Sequence, residues 1–213
     1  MKKVFGVIGL GRFGFNVAKT LAEGGAEVIA CDVDEEKVKQ IADIVHQVFI
    51  LDATDEKALK ESGIVNADTV IVSIGENIEA SILVTVQLME LGVKEIIAKA
   101  VNSLHAKILE RLGIRRVIHP ERDMAIRLAH SLLVGGFIEE IPIADSYSIF
   151  QMLPVARFHG KTLKELDLRR KHDMTVLAIK RGERFIVNPS GDELILSDDI
   201  LIVLGNTERI SYI

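Results

Sequence analysis

A glycine-rich segment near the N-terminus has the residue types and spacing that bind the phosphates of a nucleotide. Gly9, Gly11 and Gly14 form a GxGxxG pattern directly after an apolar run. In such a turn the first glycine permits a tight bend, the second lets the backbone approach a pyrophosphate, and the third lets the helix pack closely against the sheet. The N–H groups at the start of that helix then bind the phosphates. The segment therefore predicts an adenine nucleotide site.

An acidic residue follows at the distance expected for ribose recognition. Asp32 ends the second apolar run, 18 residues after Gly14, and the usual separation is about 20 residues. A carboxylate there accepts hydrogen bonds from the ribose hydroxyls and repels a 2′-phosphate. Since no arginine lies within residues 32–36, the sequence disfavours NADP. The alternative is a glycine turn followed by an incidental aspartate.

Arg12 places a positive charge inside the glycine turn. Its guanidinium carries five hydrogen-bond donors in a fixed geometry, so it can lie over the pyrophosphate or reach a further phosphate. The alternative is a solvated arginine on the first turn of the helix, where a charged side chain contributes little.

Polar residues also follow other predicted strands. Asp52–Thr54 come after the third strand, and Gly75–Asn77 after the fourth. Ligands of doubly wound sheets lie at these carboxyl ends, near the switch in strand order. Asp52 either contacts the adenine amine or caps the next helix, and Asn77 is a good N-cap. Lys99, after the fifth strand, faces either the phosphates or solvent.

The elements that would position these residues alternate between short apolar strands and helices with amphipathic spacing. Alternation of this kind implies a parallel sheet connected by right-handed crossovers, with helices on both faces. The fold prediction is therefore α/β, with a Rossmann-like doubly wound parallel sheet. The predicted strands are Val4–Ile8, Glu27–Cys31, Gln47–Leu51, Thr69–Ile74, Glu95–Ala98 and Arg116–Ile118, and the predicted helices are Gly14–Gly24, Glu35–Asp43, Asp55–Ser62, Asn77–Leu91 and Ser103–Leu112.

The pattern changes after a helix that is predicted from Pro120 to Val134 and is followed by Gly135 and Gly136. Its apolar residues cover more than one stripe, so it packs either between two lobes of one chain or also against another subunit. The predicted divisions are residues 1–119, 120–138 and 139–213, the last a small α+β lobe. Its predicted strands are Glu139–Ala144, Ile149–Phe158, Thr175–Lys180, Arg184–Val187 and Ile200–Leu204, with a short helix at Thr162–Leu166.

Composition narrows the class of protein. The 213 residues are 48% hydrophobic and carry a net charge of −5. Nucleic-acid-binding proteins usually have an excess of basic residues, which this chain lacks. A single cysteine, Cys31, excludes an internal disulfide and suits a reducing cytoplasm. No apolar run approaches the roughly 20 residues that span a bilayer, and no cationic leader precedes the first strand, so a secreted precursor is not expected.

Catalytic patterns are missing from the sequence. Tyr147 is followed by Gln151 where a Tyr-xxx-Lys pair needs lysine, and the histidines form neither HxxxH nor HExxH. No Gly-Lys-Ser/Thr follows the glycine turn, so it is not a Walker A loop. Cys31 is predicted to be a buried small apolar residue, and the basic run Arg169–His172 a solvated turn. A non-enzymatic nucleotide-binding protein is favoured; the alternative is a compact NAD-dependent oxidoreductase.

These motifs closely resemble one family, the cytoplasmic RCK subunits (regulators of potassium conductance, with TrkA-N and TrkA-C domains) of bacterial Trk/Ktr-type potassium uptake systems. The resemblance spans nearly the whole chain and is more specific in the N-terminal half. The segments that carry it are Val7–Gly14, Asp32–Asp34, Asp52–Thr54, Val70–Ile74, Ile97–Ala100, His119–Glu121, Gly160–Leu166 and Asp198–Leu201.

The resemblance implies a regulatory subunit that binds ATP, ADP or NAD(H) and forms dimers that assemble into an octameric ring. The ring would dock from the cytoplasm on an integral membrane subunit, at the inner face of the cell membrane, and gate potassium flux. By position, the glycines and Arg12 would hold the phosphates, Asp32 the ribose, and Asp52 and Thr54 would lie near the adenine. The full set of candidate nucleotide-binding residues is Gly9, Gly11, Arg12, Phe13, Gly14, Asp32, Val33, Asp52, Ala53, Thr54, Ile74, Gly75, Glu76, Asn77 and Lys99.

Three finer expectations come from the resemblance alone. In some members the arginine matching Arg12 reaches the γ-phosphate bound by a neighbouring subunit. In some, the glutamate matching Glu121 helps to bind a divalent cation. The small lobe of part of the family binds cyclic di-AMP, although this sequence has no sharp motif for it.

Overall fold

The computed structural model describes residues 2–133 and 137–206. The chain divides into two compact units, Met1–Pro120 and Glu121–Ile213. Val134, Gly135 and Gly136, where the sequence predicts a helix end and a linker, lie outside the described residues, as do residues 207–213 of the predicted small lobe. Among the described residues, no helix combines the length and apolarity needed to cross a membrane.

The first unit is a parallel sheet with the strand order β3-β2-β1-β4-β5-β6 and helices between successive strands. This is the order of a doubly wound Rossmann fold, and it confirms the predicted fold class. The strands are β1 (Val4–Ile8), β2 (Glu27–Asp32), β3 (Gln47–Ile50), β4 (Thr69–Val72), β5 (Ile96–Lys99) and β6 (Arg116–Ile118). The helices are α1 (Arg12–Glu23), α2 (Glu35–Ile41), α3 (Glu56–Glu61), α4 (Ile78–Glu90) and α5 (Ser103–Arg111), with a 3₁₀ turn at Ile64–Asn66.

Both faces of the central strands are buried. Neighbouring residues of one strand enter different cores: Val7 and Ile71 pack with Val28 on one face, whereas Ile8 and Val72 pack with other residues on the opposite face. Successive side chains of a strand point to opposite faces, so a strand covered on both sides must be apolar throughout. This burial fixes the register of β1 against β4, and with it the positions of their carboxyl ends.

Side-chain caps begin four helices of the first unit. Asp34 accepts a hydrogen bond from the Glu36 N–H, Asp55 from the Lys57 N–H, Asn77 from the Ala80 N–H and Asn102 from the His105 N–H, at 2.8–3.0 Å. The prediction for Asn77 is therefore confirmed. The capping alternative for Asp52 is wrong, because Asp55 occupies that position in α3.

The second unit contains an antiparallel sheet in the order β10-β9-β11-β8-β7, which confirms the predicted α+β lobe. The buried residues described in this unit include a hydrophobic cluster with Phe150, Met152, Ile179 and Leu201. The elements are α6 (Pro120–Leu133), β7 (Phe137–Ala144), β8 (Tyr147–Met152), α7 (Leu163–Leu166), α8 (Leu168–His172), β9 (Met174–Arg181), β10 (Arg184–Val187) and β11 (Ile200–Asn206).

Two local predictions for this unit are wrong. The strand predicted to reach Phe158 ends at Met152, and Ala156–Phe158 form a 3₁₀ turn. Pro154 intervenes, and proline cannot donate a ladder hydrogen bond. The basic run Arg169–His172, predicted as a solvated turn, lies in the helix α8. With five residues, α8 is too short to show a helical pattern in the sequence. Asp167, whose left-handed backbone has φ 46°, separates α8 from α7.

An ion pair between Arg181 and Asp199 connects β9 to the segment before β11 in this lobe. The Arg181 guanidinium donates from Nε to one oxygen of Asp199 at 2.8 Å and from an Nη to the other at 2.9 Å, while the Leu196 N–H donates to Asp199 at 2.9 Å. Asp199 is fully buried. Burial alone would raise the pKa of Asp199, but the bonds from Arg181 and Leu196 outweigh it, and the net pKa is lowered.

Replacing Arg181 with Met should destabilise this lobe, because the Asp199 carboxylate is left buried without its charged partner. We expect the free energy of unfolding at pH 7 to fall by about 2 kcal/mol. Since the folded pKa of Asp199 is lowered, its stabilisation is complete above the ordinary carboxyl pKa of about 4 and is lost as the pH falls through the folded value. The difference between wild type and variant should therefore shrink in acid.

Urea unfolding followed by tyrosine fluorescence measures this effect. Both tyrosines, Tyr147 and Tyr212, belong to the second unit, and the chain has no tryptophan. Arg169→Met, which removes the same charge from the exposed surface of α8, is the control and should change stability little. Equal losses for the two variants, or a loss for Arg181→Met that does not depend on pH, would contradict the prediction.

Candidate functional site

A cavity of about 400 Å³ opens at the carboxyl ends of the first strands. This is the place where doubly wound folds bind ligands, and the size suits a nucleotide site. The lining residues that the sequence predicted are Gly9, Gly11, Asp32, Val33, Asp52, Ala53, Thr54, Ile74, Gly75, Glu76 and Asn77. The lining residues that it missed are Ile8, Cys31, Lys37, Leu51, Ser73 and Ala80.

The glycine turn has the backbone that its sequence implies. Gly9 adopts φ 93°, a conformation that side chains disfavour, and its N–H donates to the Cys31 carbonyl at 2.9 Å. A Cβ on Gly14 would lie 1.9 Å from the Gly9 carbonyl oxygen, so only glycine fits there. A Cβ on Gly11 would meet nothing within 4 Å. The first and third glycines therefore build the turn, and the second leaves open space beside the cavity.

The N-terminus of α1 differs from the other helix starts of this unit. Gly11 is its N-cap and supplies no side-chain hydrogen bond, and no acidic residue lies in its first turn. The first N–H groups of a helix need partners from outside the helix. With the positive end of the helix dipole, these groups make the turn suited to an anionic group such as a diphosphate.

Asp32 connects the turn to the end of β2. One carboxylate oxygen accepts from the Leu10 N–H at 2.6 Å, and the other accepts from the Asp34 N–H at 2.9 Å. The side chain is only 8% exposed, yet it lines the cavity. Each carboxylate oxygen can accept a second hydrogen bond, so ribose hydroxyls can be bound without breaking these contacts.

Lys37 is the one lysine of the cavity wall in the described structure, and the sequence analysis missed it. Its Nζ lies 3.8 Å from an Asp32 oxygen and 3.6 Å from an Asp34 oxygen. The prediction against NADP considered only arginine, and only residues 32–36, whereas this lysine is the next residue. Helical spacing was the available indication, because Lys37 follows the N-cap Asp34 by three residues and returns to the same side of α2.

Asp52 forms a local turn with Thr54. Its carboxylate accepts from the Thr54 N–H at 2.9 Å and from the Thr54 hydroxyl at 2.7 Å. These bonds, led by the hydroxyl, lower the pKa of Asp52. The carboxylate therefore stays ionised near neutral pH and acts as an acceptor facing the cavity, which suits an exocyclic amine.

Four of the predicted residues do not line the cavity: Arg12, Phe13, Gly14 and Lys99. Arg12 is exposed on the first turn of α1. Lys99 is partly buried at the end of β5, with its Nζ 6.0 Å from the centre of the Phe13 ring. This is the outer limit for a cation–π contact. Lys99 therefore does not simply face solvent.

Cys31 lies in the cavity wall, but its thiol is not a reactive nucleophile. It is buried, which confirms the prediction from sequence. Burial, reinforced by the negative charge of Asp32, raises the pKa of the thiol to about 12. The thiolate is the nucleophilic form, so at neutral pH this residue acts as a small apolar wall.

The described residues contain no group of three or more His, Cys, Asp or Glu side chains that could hold a metal ion. Glu121 lies in the first turn of α6. The positive end of the helix dipole stabilises a carboxylate at such a position, even without a metal ion.

The cavity fits an adenine nucleotide on several grounds. The second glycine leaves room for a phosphate, the start of α1 has no capping side chain, and Asp32 presents a carboxylate at the end of β2. The buried hydroxyl of Ser73, in the same wall, has no hydrogen-bond partner. A bound water, an ion or a polar group of a ligand can supply the partner that such an atom lacks.

Comparisons with known proteins agree with this arrangement. A TrkA-N domain model matches residues 5–120 and a TrkA-C domain model matches residues 147–213. Over 211 residues the chain is 47% identical to Ktr system potassium uptake protein C of Bacillus subtilis (strain 168), covering 99% of this chain and 96% of that protein. It is 40% identical over 208 residues to Ktr system potassium uptake protein A of the same organism, covering 98% and 94%.

Among solved structures, that of the GsuK channel bound to NAD matches with a TM-score of 0.67 at 14% sequence identity. The match covers 99% of this chain and 38% of that chain. At this sequence identity the similarity shows a shared fold and nothing about function.

Two glycine variants should separate folding from ligand binding. Gly14→Ala places a methyl group against the Gly9 carbonyl, and we expect it to lower the free energy of unfolding by about 1–3 kcal/mol. Gly11→Ala has open space and an ordinary φ of −63°, so its stability should stay within about 1 kcal/mol of wild type. Its methyl group would occupy the open space in which a diphosphate is predicted to bind, so ADP affinity should fall at least tenfold. Thermal unfolding and calorimetric titration with ADP measure the two effects; a Gly11→Ala chain that binds ADP normally would exclude this turn as the phosphate site.

Proposed function

Because this chain belongs to the TrkA family, whose members carry a TrkA-N and a TrkA-C domain, we propose that it is the nucleotide-binding regulatory subunit of a potassium transporter. Its two relatives from Bacillus subtilis are Ktr system potassium uptake proteins and match it along almost their whole lengths. The observation that carries the nucleotide part of the proposal is the cavity in which Asp32 and the uncapped start of α1 meet.

The ligand proposed for this cavity is ATP, ADP or NAD(H). The first N–H groups of α1 bind the diphosphate, Asp32 binds the ribose hydroxyls, and Asp52 and Thr54 lie beside the adenine. A 2′-phosphate is disfavoured further by Asp34, whose carboxylate adds negative charge beside Asp32. The single positive charge of Lys37 balances only part of the negative charge of these two carboxylates. Five further candidates, Val33, Ala53, Ile74, Gly75 and Glu76, contribute to the cavity wall.

The proposed protein regulates and does not turn over a substrate. The thiol of Cys31 is held protonated, and no described histidine lines the cavity. Of the three carboxylates of the cavity wall, those of Asp32 and Asp52 are bonded to backbone N–H groups, and the third belongs to Glu76. This favours a regulatory subunit over a compact NAD-dependent oxidoreductase, which needs a proton donor or acceptor beside the bound substrate.

The working form that we propose is a homodimer that assembles into an octameric ring on the cytoplasmic side of a membrane subunit. Support comes from α6, where Met124, Ile126 and Leu132 are 62%, 48% and 75% exposed. Apolar side chains exposed together on one helix favour burial against a second copy of the chain. A ligand then shifts the ring between two shapes by its different affinity for them.

Two further ligands belong to the proposal. A divalent cation at Glu121 would accompany a bound triphosphate, and its support is the carboxylate in the first turn of α6. For cyclic di-AMP we assign no residues in the second unit. Both ligands are tested by titration against the chain with and without ATP.

Purification of the chain, followed by mass spectrometry of the small molecules released on denaturation, tests the central proposal. We expect an adenine nucleotide, a ring-sized mass by light scattering, and no oxidation of NADH or reduction of NAD with common metabolites. A monomer that turns over NAD would overturn the proposal. Potassium uptake by cells that express a matching membrane subunit, with and without this chain, tests regulation directly.

Arg12→Ala should reduce the affinity for ATP more than the affinity for ADP if this exposed arginine reaches the γ-phosphate held by a neighbouring subunit. We expect a tenfold larger loss for ATP, a difference of about 1.4 kcal/mol. Lys19→Ala is the matched control, because it removes one charge from the same helix at a site paired with Glu23. Equal losses for ATP and ADP would refute the γ-phosphate role. Calorimetric titration of the nucleotide-free chain supplies both affinities.

A further inference from the structure

We propose that the Ser73 hydroxyl is a further ligand-binding group that donates a hydrogen bond to the diphosphate of the bound nucleotide, directly or through one bound water. The inference rests on the proposed function, because it adds a residue to the same cavity. Ser73 follows β4, at the switch in strand order between β1 and β4, and it has no counterpart in the GxGxxG pattern.

The backbone of Ser73 is held firmly under the glycine turn. Its N–H donates to the Ile8 carbonyl at 2.7 Å. A Cβ on Gly9 would lie 3.0 Å from the Ser73 carbonyl carbon, and a Cβ on Gly14 would lie 3.0 Å from the Ser73 hydroxyl oxygen. Ser73 therefore lies against both the first and the third glycine of the turn, and it lines the cavity.

The hydroxyl of Ser73 has no partner although the residue is only 5% exposed. An unpaired buried hydroxyl costs free energy, since its hydrogen bonds to water are lost on folding and not replaced. The hydroxyl can exchange between staggered χ1 rotamers without any change of backbone, and Ser73 lines the cavity. The diphosphate bound at the start of α1 supplies the missing acceptor.

Ser81 is a matched control. Its hydroxyl is also buried and unpaired, and the residue is 0% exposed. It lies in α4 and does not line the cavity. If an unpaired hydroxyl were merely a feature of this core, the two serines would respond alike to removal of the oxygen. A ligand role applies to Ser73 alone.

The test compares Ser73→Ala and Ser81→Ala in the full chain, with ADP and adenosine as probes in calorimetric titrations. We expect Ser73→Ala to bind ADP about tenfold more weakly, as for loss of one hydrogen bond to a charged acceptor. Its adenosine affinity should be unchanged, because adenosine has no phosphate. The nucleotide-free melting temperature of Ser73→Ala should equal or exceed that of wild type, since an unsatisfied group has been removed. Ser81→Ala should bind both probes as wild type does.

Each other outcome is decisive. Normal ADP binding by Ser73→Ala overturns the inference and leaves the proposed function intact, as does an equal loss for adenosine. A wild-type chain that binds none of ADP, ATP and NAD overturns the proposed function and the inference together. Should Ser73→Ala fold poorly, Ser73→Cys replaces the hydroxyl with a slightly larger thiol that is a much weaker donor, and it should show the same selective loss of ADP affinity.

Discussion

The hydrogen bond from the Leu10 N–H to Asp32 is the interaction on which the candidate site depends. It joins the middle of the glycine turn to the end of β2 at 2.6 Å, and the bond from the Gly9 N–H to the Cys31 carbonyl lies directly beside it. Together they fix where α1 begins relative to the sheet. The same carboxylate that would recognise the ribose therefore also holds the turn that would receive the phosphates, so the two halves of a nucleotide are positioned by one side chain.

Close packing around this bond explains the composition of the site. The approach of Gly14 to the Gly9 carbonyl, at a distance that admits no Cβ, brings the axis of α1 over the strand ends. Burial on both faces of β1 and β4 sets their register, and the turn residues follow from where those strands end. The polar groups of the cavity consequently lie at or just after the ends of strands whose positions an apolar core determines.

Much of this was predictable from sequence because it is repeated or spaced regularly. The alternation of apolar runs and helical segments predicted the parallel sheet, and the GxGxxG spacing with Asp32 predicted the wall of the cavity. Single residues without a pattern were not predictable. Ser73 is one polar residue at the end of an apolar run, and Lys37 needed helix geometry to be connected with Asp32. Asp52 and Asp55 both precede α3, and only the backbone shows which of them caps it. The helix α8 is too short to produce a helical periodicity of apolar residues in the sequence.

The location of the cavity limits how a nucleotide can act. Its described lining residues lie between Ile8 and Ala80, all in the first unit. A ligand that contacted only these residues with equal strength in two ring shapes would bind without shifting their balance, however tightly it bound. Regulation therefore needs a contact whose strength differs between the shapes. Arg12 meets that requirement better than the residues of the wall, because it is exposed at the edge of the turn and free of the bonds that fix Asp32. In the proposed ring, the wall would supply affinity, and an exposed group beside the phosphates would supply the difference in affinity that a switch requires.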